Sequence, residues 1–291
     1  MQFAAGYQYR SSGELFSEMV ADYTSAIAEV YFAPPGFASG RPDAAQDKAD
    51  ALDQLIYELK ALRSMNIKLD MLLNGNCYGD NAIAVAFRNR IVEMLEWFAA
   101  ENLLPEVITT ASPFVAHTIK KYFCNIEVRA SVNMRIDSLT ALEYLQEKFD
   151  SFYLRRDLQR DIPTVAMFAR WSKLHGKKLC LLANSGCLRN CPYQTFHDNL
   201  EDNRYYRDAE SAVHRCMHMT QAYDYNWVLN TGVGHEWASG ITFWYGEEFF
   251  QITELAECVL SMKAWFETAA ENLKATLANE STTGMRKELA A

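Results

Sequence analysis

Short apolar runs alternate with longer amphipathic stretches along this chain. "QFAAG", "AIAEVYFA", "IKLDMLLN", "EVITT", "IEVRASVN", "FDSFYLR" and "KKLCLLAN" each hold a compact apolar run, which is the signature of a strand. Between them the apolar positions recur at helical spacing. Within Ala44 to Met65, residues Ala51, Leu52, Leu55, Ile56, Leu59 and Leu62 share one helix face. Gly13 to Tyr23, Asn81 to Ala100, "SLTALEYLQEKF" and "IPTVAMFARWSKLHG" read as helices too. Pro34-Pro35-Gly36 must turn, because proline cannot continue a ladder. An eighth strand candidate, "SGITFW", and a last helix from Phe250 to Leu273 complete the series.

Strict strand–helix alternation predicts a parallel sheet. Eight units in 291 residues predict an α/β fold of the closed (β/α)8 TIM-like barrel type, as a single domain. That domain spans 1–275, with the cysteine-bearing loop at 180–216 and a polar tail at 276–291. An open doubly wound sheet would carry a glycine-rich phosphate turn after its first strand, and "AAGYQYRSSG" does not supply one. In a barrel the chemistry lies on the loops at the C-terminal strand ends. Polar residues fall there: Ser39 to Arg41, Asn74 to Tyr78, Asn133 and Arg135, Arg155 to Asp157, and the cysteine loop.

The net charge of −9, from 28 basic and 37 acidic residues, argues against general nucleic-acid affinity. A local basic pocket for an RNA or an anionic small molecule remains open. No apolar run approaches the roughly 20 residues of a membrane helix, and the first residues lack a basic segment followed by an apolar one. The expectation is a cytoplasmic chain without membrane insertion. There, seven cysteines, an odd number, read better as metal-binding or catalytic than as a disulfide framework.

Cys180, Cys187 and Cys191 lie in "LCLLANSGCLRNCPY", and Cys216 follows in "HRCMHM". Four thiolates suit an iron–sulfur cluster. Zinc is the rival, with His197, His214 or His218 as nitrogen ligands. Cys180 alone also reads as a core thiol, flanked by Leu179, Leu181 and Leu182. Cys77, Cys124 and Cys258 stand singly and read as structural. No HExxH or GxSxG motif marks a peptidase, although Cys187 with His197 could form a nucleophile pair.

"SVNMRIDSLTALEYLQEKFDSFYLRRDLQRDIP", "LCLLANSGCLRNCPY" and "HRCMHM" together carry a resemblance. The chain resembles the peptidase U-32 (collagenase-like) family over roughly Ile67 to Met219. That resemblance implies a β/α barrel and, in the iron–sulfur branches, a 4Fe-4S cluster held by four cysteines. Cys180, Cys187, Cys191 and Cys216 match those positions, with an unusually short gap between Cys187 and Cys191. Those branches hydroxylate the ubiquinone ring, a tRNA uridine or a ribosomal RNA cytidine without oxygen, with prephenate implicated as the oxygen source. Some members act as pairs, so a homologous partner subunit is implied as well. Arg41, Asn133, Arg135 and Arg156, with Arg155, are candidate ligands for such a dicarboxylate. Pairing of these arginines with Asp43, Asp137 or Asp157 is the competing use. The alternative function is a collagenase-like peptidase, or a non-catalytic partner subunit holding zinc or no metal.

Overall fold

Among the described residues seven strands pair in the order in which the chain makes them. In the computed structural model, residues 3–9, 13–25, 27–39, 50–79, 82–158 and 161–181 are described, with Thr195. The strands are β1 Phe3–Gly6, β2 Ile27–Phe32, β3 Lys68–Leu72, β4 Val107–Thr110, β5 Glu127–Ala130, β6 Ser151–Tyr153 and β7 Lys178–Cys180. All neighbours are parallel, in the order β1-β2-β3-β4-β5-β6-β7. A doubly wound sheet would reverse direction part-way; this one never does. The helices between the strands are α1 Phe16–Ala21, α2 Ala51–Ser64, α3 Val85–Ala100, α4 Pro113–Tyr122, α5 Leu139–Leu145 and α6 Ile162–Leu174.

The sheet is curled. Arg129 on β5 hydrogen-bonds Glu29 on β2 at 2.5 and 3.0 Å. Three strand spacings would separate those backbones by roughly 14 Å in a flat sheet, more than the two side chains span. The concave side has therefore closed toward itself, as in a TIM-like fold. Among the described residues β1 and β7 are the edges of this half-barrel. The expected eighth strand (239–244), the last helix (250–273) and the tail lie outside the described residues.

Strand side chains alternate between the two faces. The convex set is apolar: Val30, Leu69, Met71, Ile108, Val128, Ala130 and Phe152 are fully buried. They pack with Leu59, Leu62, Ile91, Leu95, Ile119, Leu142 and Phe168 of the surrounding helices in one core. The caps are local. The Ser112, Ser138 and Asp161 side chains accept from backbone N–H groups at the starts of α4, α5 and α6. Pro113 opens α4, where its missing N–H has no partner to lose. Asn66, Asn102 and Gly176 take left-handed φ values of 61°, 57° and 63° just after α2, α3 and α6, turning the chain back to the sheet.

Several boundaries differ from expectation. The first helix is shorter than Gly13 to Tyr23, beginning at Phe16. The third begins at Val85 rather than Asn81, because Ala84 is extended and starts the helix without a side-chain cap. The strand read in "IEVRASVN" stops at Ala130, because the Ser131 hydroxyl accepts from Asn133 N at 3.0 Å and starts a 3-10 helix, Val132–Met134. Residues 40–49 of the expected Ala44–Met65 helix lie outside the described residues. Among the described residues no helix is long and apolar enough to cross a membrane.

Candidate functional site

The concave face is polar. Register places Glu29, Asp70, Thr109, Glu127, Arg129, Ser151, Tyr153, Lys178 and Cys180 on it. Arg129 is its centre. Its guanidinium donates to both Glu29 oxygens, to Asp70 Oδ2 at 3.3 Å, to Glu127 Oε1 at 3.3 Å and to Ser151 Oγ at 3.2 Å. It also lies 5.8 Å from the Tyr153 ring centroid. Burial opposes its charge, but the Glu29 hydrogen bonds and the field of Asp70 prevail, so its pKa is raised. Burial likewise works against the Glu127 carboxylate, yet hydrogen bonds from Lys178 and Ser151 hold its pKa below the usual value.

Cys180 ends β7 on this face. It sits beside Tyr153 in the ladder and feels the charges of Arg129, Glu29, Glu127 and Asp70. Burial pushes its thiol up to about 11; Arg129 pulls it down, and the carboxylates push it further up. Cys180 is half-buried and free. It is therefore not a thiol of the apolar layer beneath the helices, the simpler reading its leucine neighbours suggest. Its expected companions Cys187, Cys191 and Cys216 lie outside the described residues, as do His197, His214 and His218. Among the described residues no three His, Cys, Asp or Glu side chains form a metal set. Cys77 and Cys124 are exposed and free, and Cys258 lies outside the described residues.

The rim is built from the loops after β5 and β6. These meet again beyond the strands, where Ile136 and Leu154 form a parallel bridge and Arg155 N donates to Ile136 O at 2.9 Å. The structure brings Asn133 and Arg156 together: the guanidinium donates to Asn133 Oδ1 at 3.0 Å. Arg135 closes the 3-10 helix in the left-handed region, at φ 55° and ψ 41°, a conformation that strains a non-glycine residue. Arg155 is committed elsewhere. It grips Asp157 through two bonds of 2.7 Å and reaches Asp137 at 3.3 Å. Arg41 lies outside the described residues.

The loop Asn74 to Tyr78 is a turn held by its own side chain. The Tyr78 hydroxyl donates to Leu73 O at 2.7 Å and accepts from Gly75 N at 3.1 Å. A Cβ on Gly75 would lie 2.7 Å from Ala38 Cβ, so only glycine fits. The sequence reading does not pick out the charged cluster of the concave face, although its signal is in the strands. Polar residues at every second position of the strands, in "EVRA" and "KLC", place them together.

No family model and no curated protein matches the chain. Two solved structures are similar to it. The U32 peptidase Mk0906 is 11% identical with a TM-score of 0.53, covering 67% of this chain and 78% of that one. An alpha-amylase from Lactobacillus plantarum is 7% identical with a TM-score of 0.40, covering 63% and 62%. The first likeness shows a distant U32-like fold and nothing finer.

Proposed function

We propose that this chain is a U32-like enzyme that holds a 4Fe-4S cluster through Cys180, Cys187, Cys191 and Cys216, and hydroxylates an aromatic or nucleobase ring without oxygen. In this reading "SGITFW" supplies the eighth strand of a closed (β/α)8 barrel within one domain, 1–275. The observation that carries it is the position of Cys180, at the C-terminal end of β7 on the polar concave face, where barrel enzymes keep their chemistry. A thiol used only for packing belongs on the convex face with Ile108 and Phe152.

Cys180 fits a ligand role. Its metal-free thiol stays protonated, so binding soft metal would release that proton, as thiolate sites do. Arg129 favours the thiolate there, while burial and the carboxylates of Glu29, Glu127 and Asp70 oppose it until a metal takes the proton's place. The cluster, when bound, would supply one-electron chemistry or Lewis acidity at the mouth. Asn133 and Arg156, already joined at the rim, would orient a dicarboxylate such as prephenate, with Arg135 and Arg41 as further candidate ligands. The setting is a reducing compartment such as the cytoplasm, where thiols stay available. The substrate is a small molecule or an RNA, and a homologous subunit could complete the site.

The peptidase alternative needs an imidazole beside a thiol. The described histidines are exposed: His117 on α4, and His175 after α6, where Nδ1 lies 2.8 Å from Trp171 O. A pair with Cys180 would take His197, His214, His218 or His235, outside the described residues. The test is purification of the full chain without oxygen, followed by an absorption spectrum and assays for iron, sulfide and zinc. A brown protein with iron and sulfide supports the proposal. Stoichiometric zinc favours the non-redox alternative, and a metal-free, colourless chain refutes both metal readings.

A further inference from the structure

Three carboxylates on the concave face share one buried guanidinium, and they share it unequally. Glu29 takes two N–H groups of Arg129, at 2.5 and 3.0 Å. Glu127 takes one, together with the Lys178 ammonium and the Ser151 hydroxyl. Asp70 also takes one guanidinium N–H group, and its other side-chain donor is an uncharged hydroxyl. The Thr109 hydroxyl donates to its Oδ2 at 2.7 Å, and Arg129 reaches the same oxygen at 3.3 Å. Its Oδ1 is buried without a hydrogen-bond partner, in a residue only 2% exposed.

Protein interiors avoid an ionised oxygen that faces no donor. The charges point the same way. Glu29, Asp70 and Glu127 together exceed Arg129 and Lys178 by one negative charge, and the Lys178 side chain is mostly in solvent. A proton on one carboxyl removes the excess. Glu29 and Glu127 have donors that reward ionisation; Asp70 has an oxygen with none.

We propose that Asp70 carries this proton on Oδ1, which makes the cluster a proton-binding site at the centre of the concave face. The titratable and polar groups that register places on the face of Asp70 among the described residues are Glu29 and Tyr31 from β2, Lys68 from β3 itself, Thr109 from β4, Glu127 and Arg129 from β5, Ser151 and Tyr153 from β6, and Lys178 and Cys180 from β7. Burial opposes ionisation most, Arg129 favours it, Glu29 opposes it and the Thr109 hydrogen bonds favour it, leaving the carboxyl pushed up to about 7. Loss of the proton leaves three negative charges around Arg129.

The experiment is infrared difference spectroscopy on the full chain, following the carbonyl band of neutral carboxylic acid from about pH 5.5 to about pH 8.5, on either side of the raised value. The expected result is a band lost with a midpoint near neutrality in the wild type and absent in Asp70→Asn. Glu29→Gln removes the adjacent negative charge and frees Arg129 for Asp70, so the midpoint falls by about one unit or more. No titrating acid band near neutrality, or a band unchanged in Asp70→Asn, overturns the proposal. If Asp70→Asn fails to fold, an unmoved midpoint in Glu29→Gln overturns it instead.

Discussion

Replacing Arg129 with methionine keeps much of the side chain's length and removes its charge. Five polar contacts disappear: two to Glu29 and one each to Asp70, Glu127 and Ser151. The residue is 6% exposed, so water cannot take its place. Breaking a buried ion pair by removing one partner costs about 3–5 kcal/mol, because the abandoned charges stay buried. The loss must depend on pH. Without the guanidinium the folded-state carboxylates have pKa values above those of the unfolded chain. The folded state then binds more protons, and stability falls as pH rises from the ordinary carboxylate range through the raised values. Urea unfolding of the full-length variant and wild type, followed by circular dichroism, measures this. We expect the full deficit at about pH 8 and a smaller one at about pH 5. A loss under about 1 kcal/mol at the higher pH, typical of an exposed pair, would refute the reasoning. So would an equal loss at both.

Other predictions follow from the same contacts. Asp70→Asn removes an acid raised from 3.8 to about 7, about three pH units at roughly 1.4 kcal/mol each, or roughly 4 kcal/mol. Its folded pKa is the higher one, so wild-type stability should fall relative to this variant between about pH 4 and about pH 7 and run parallel above; denaturation at several pH values checks the slope. Gly75→Ala drives a methyl to 2.7 Å from Ala38 Cβ and should destabilise by about 1–3 kcal/mol, read from urea unfolding. If the rim binds prephenate as proposed, Arg156→Ala should weaken that binding about tenfold or more by calorimetry, through loss of a charge-assisted donor held by Asn133.

The architecture was legible because apolar periods and turn residues agree. Proline, asparagine and glycine punctuate the elements where the backbone turns, and the sequential parallel order follows from strict alternation. Finer boundaries were not legible, because a single cap decides them. The Ser131 hydroxyl converts the end of a strand-like run into a 3-10 helix, and nothing in the run's β propensity announces it. Strand-end positions marked Asn133 and Arg156 as separate candidate ligands without foreseeing that they bond each other, whereas pairing of the strand-end arginines with Asp137 or Asp157 was foreseen and Arg155 makes it. The interior cluster was missed for a different reason. Parallel strands buried on both faces usually read as continuous apolar runs. Here Glu29, Asp70, Arg129 and Ser151 alternate with Val30, Leu69, Val128 and Phe152, a period of two that marks one face as polar. The same alternation resolves Cys180. Leucine on both sides suggests a core thiol, but Leu179 packs with the core while Cys180 shares its face with Lys178 and Tyr153.

The central claim is that Cys180 is a cluster ligand at the mouth of the barrel. Iron and sulfide per chain, measured on anaerobically purified wild type, Cys180→Ala and Cys124→Ala, test it directly. A cluster on Cys180 gives about four of each in the wild type, the same in Cys124→Ala, and little or none in Cys180→Ala. Iron retained without Cys180, or lost without the exposed Cys124, would contradict it.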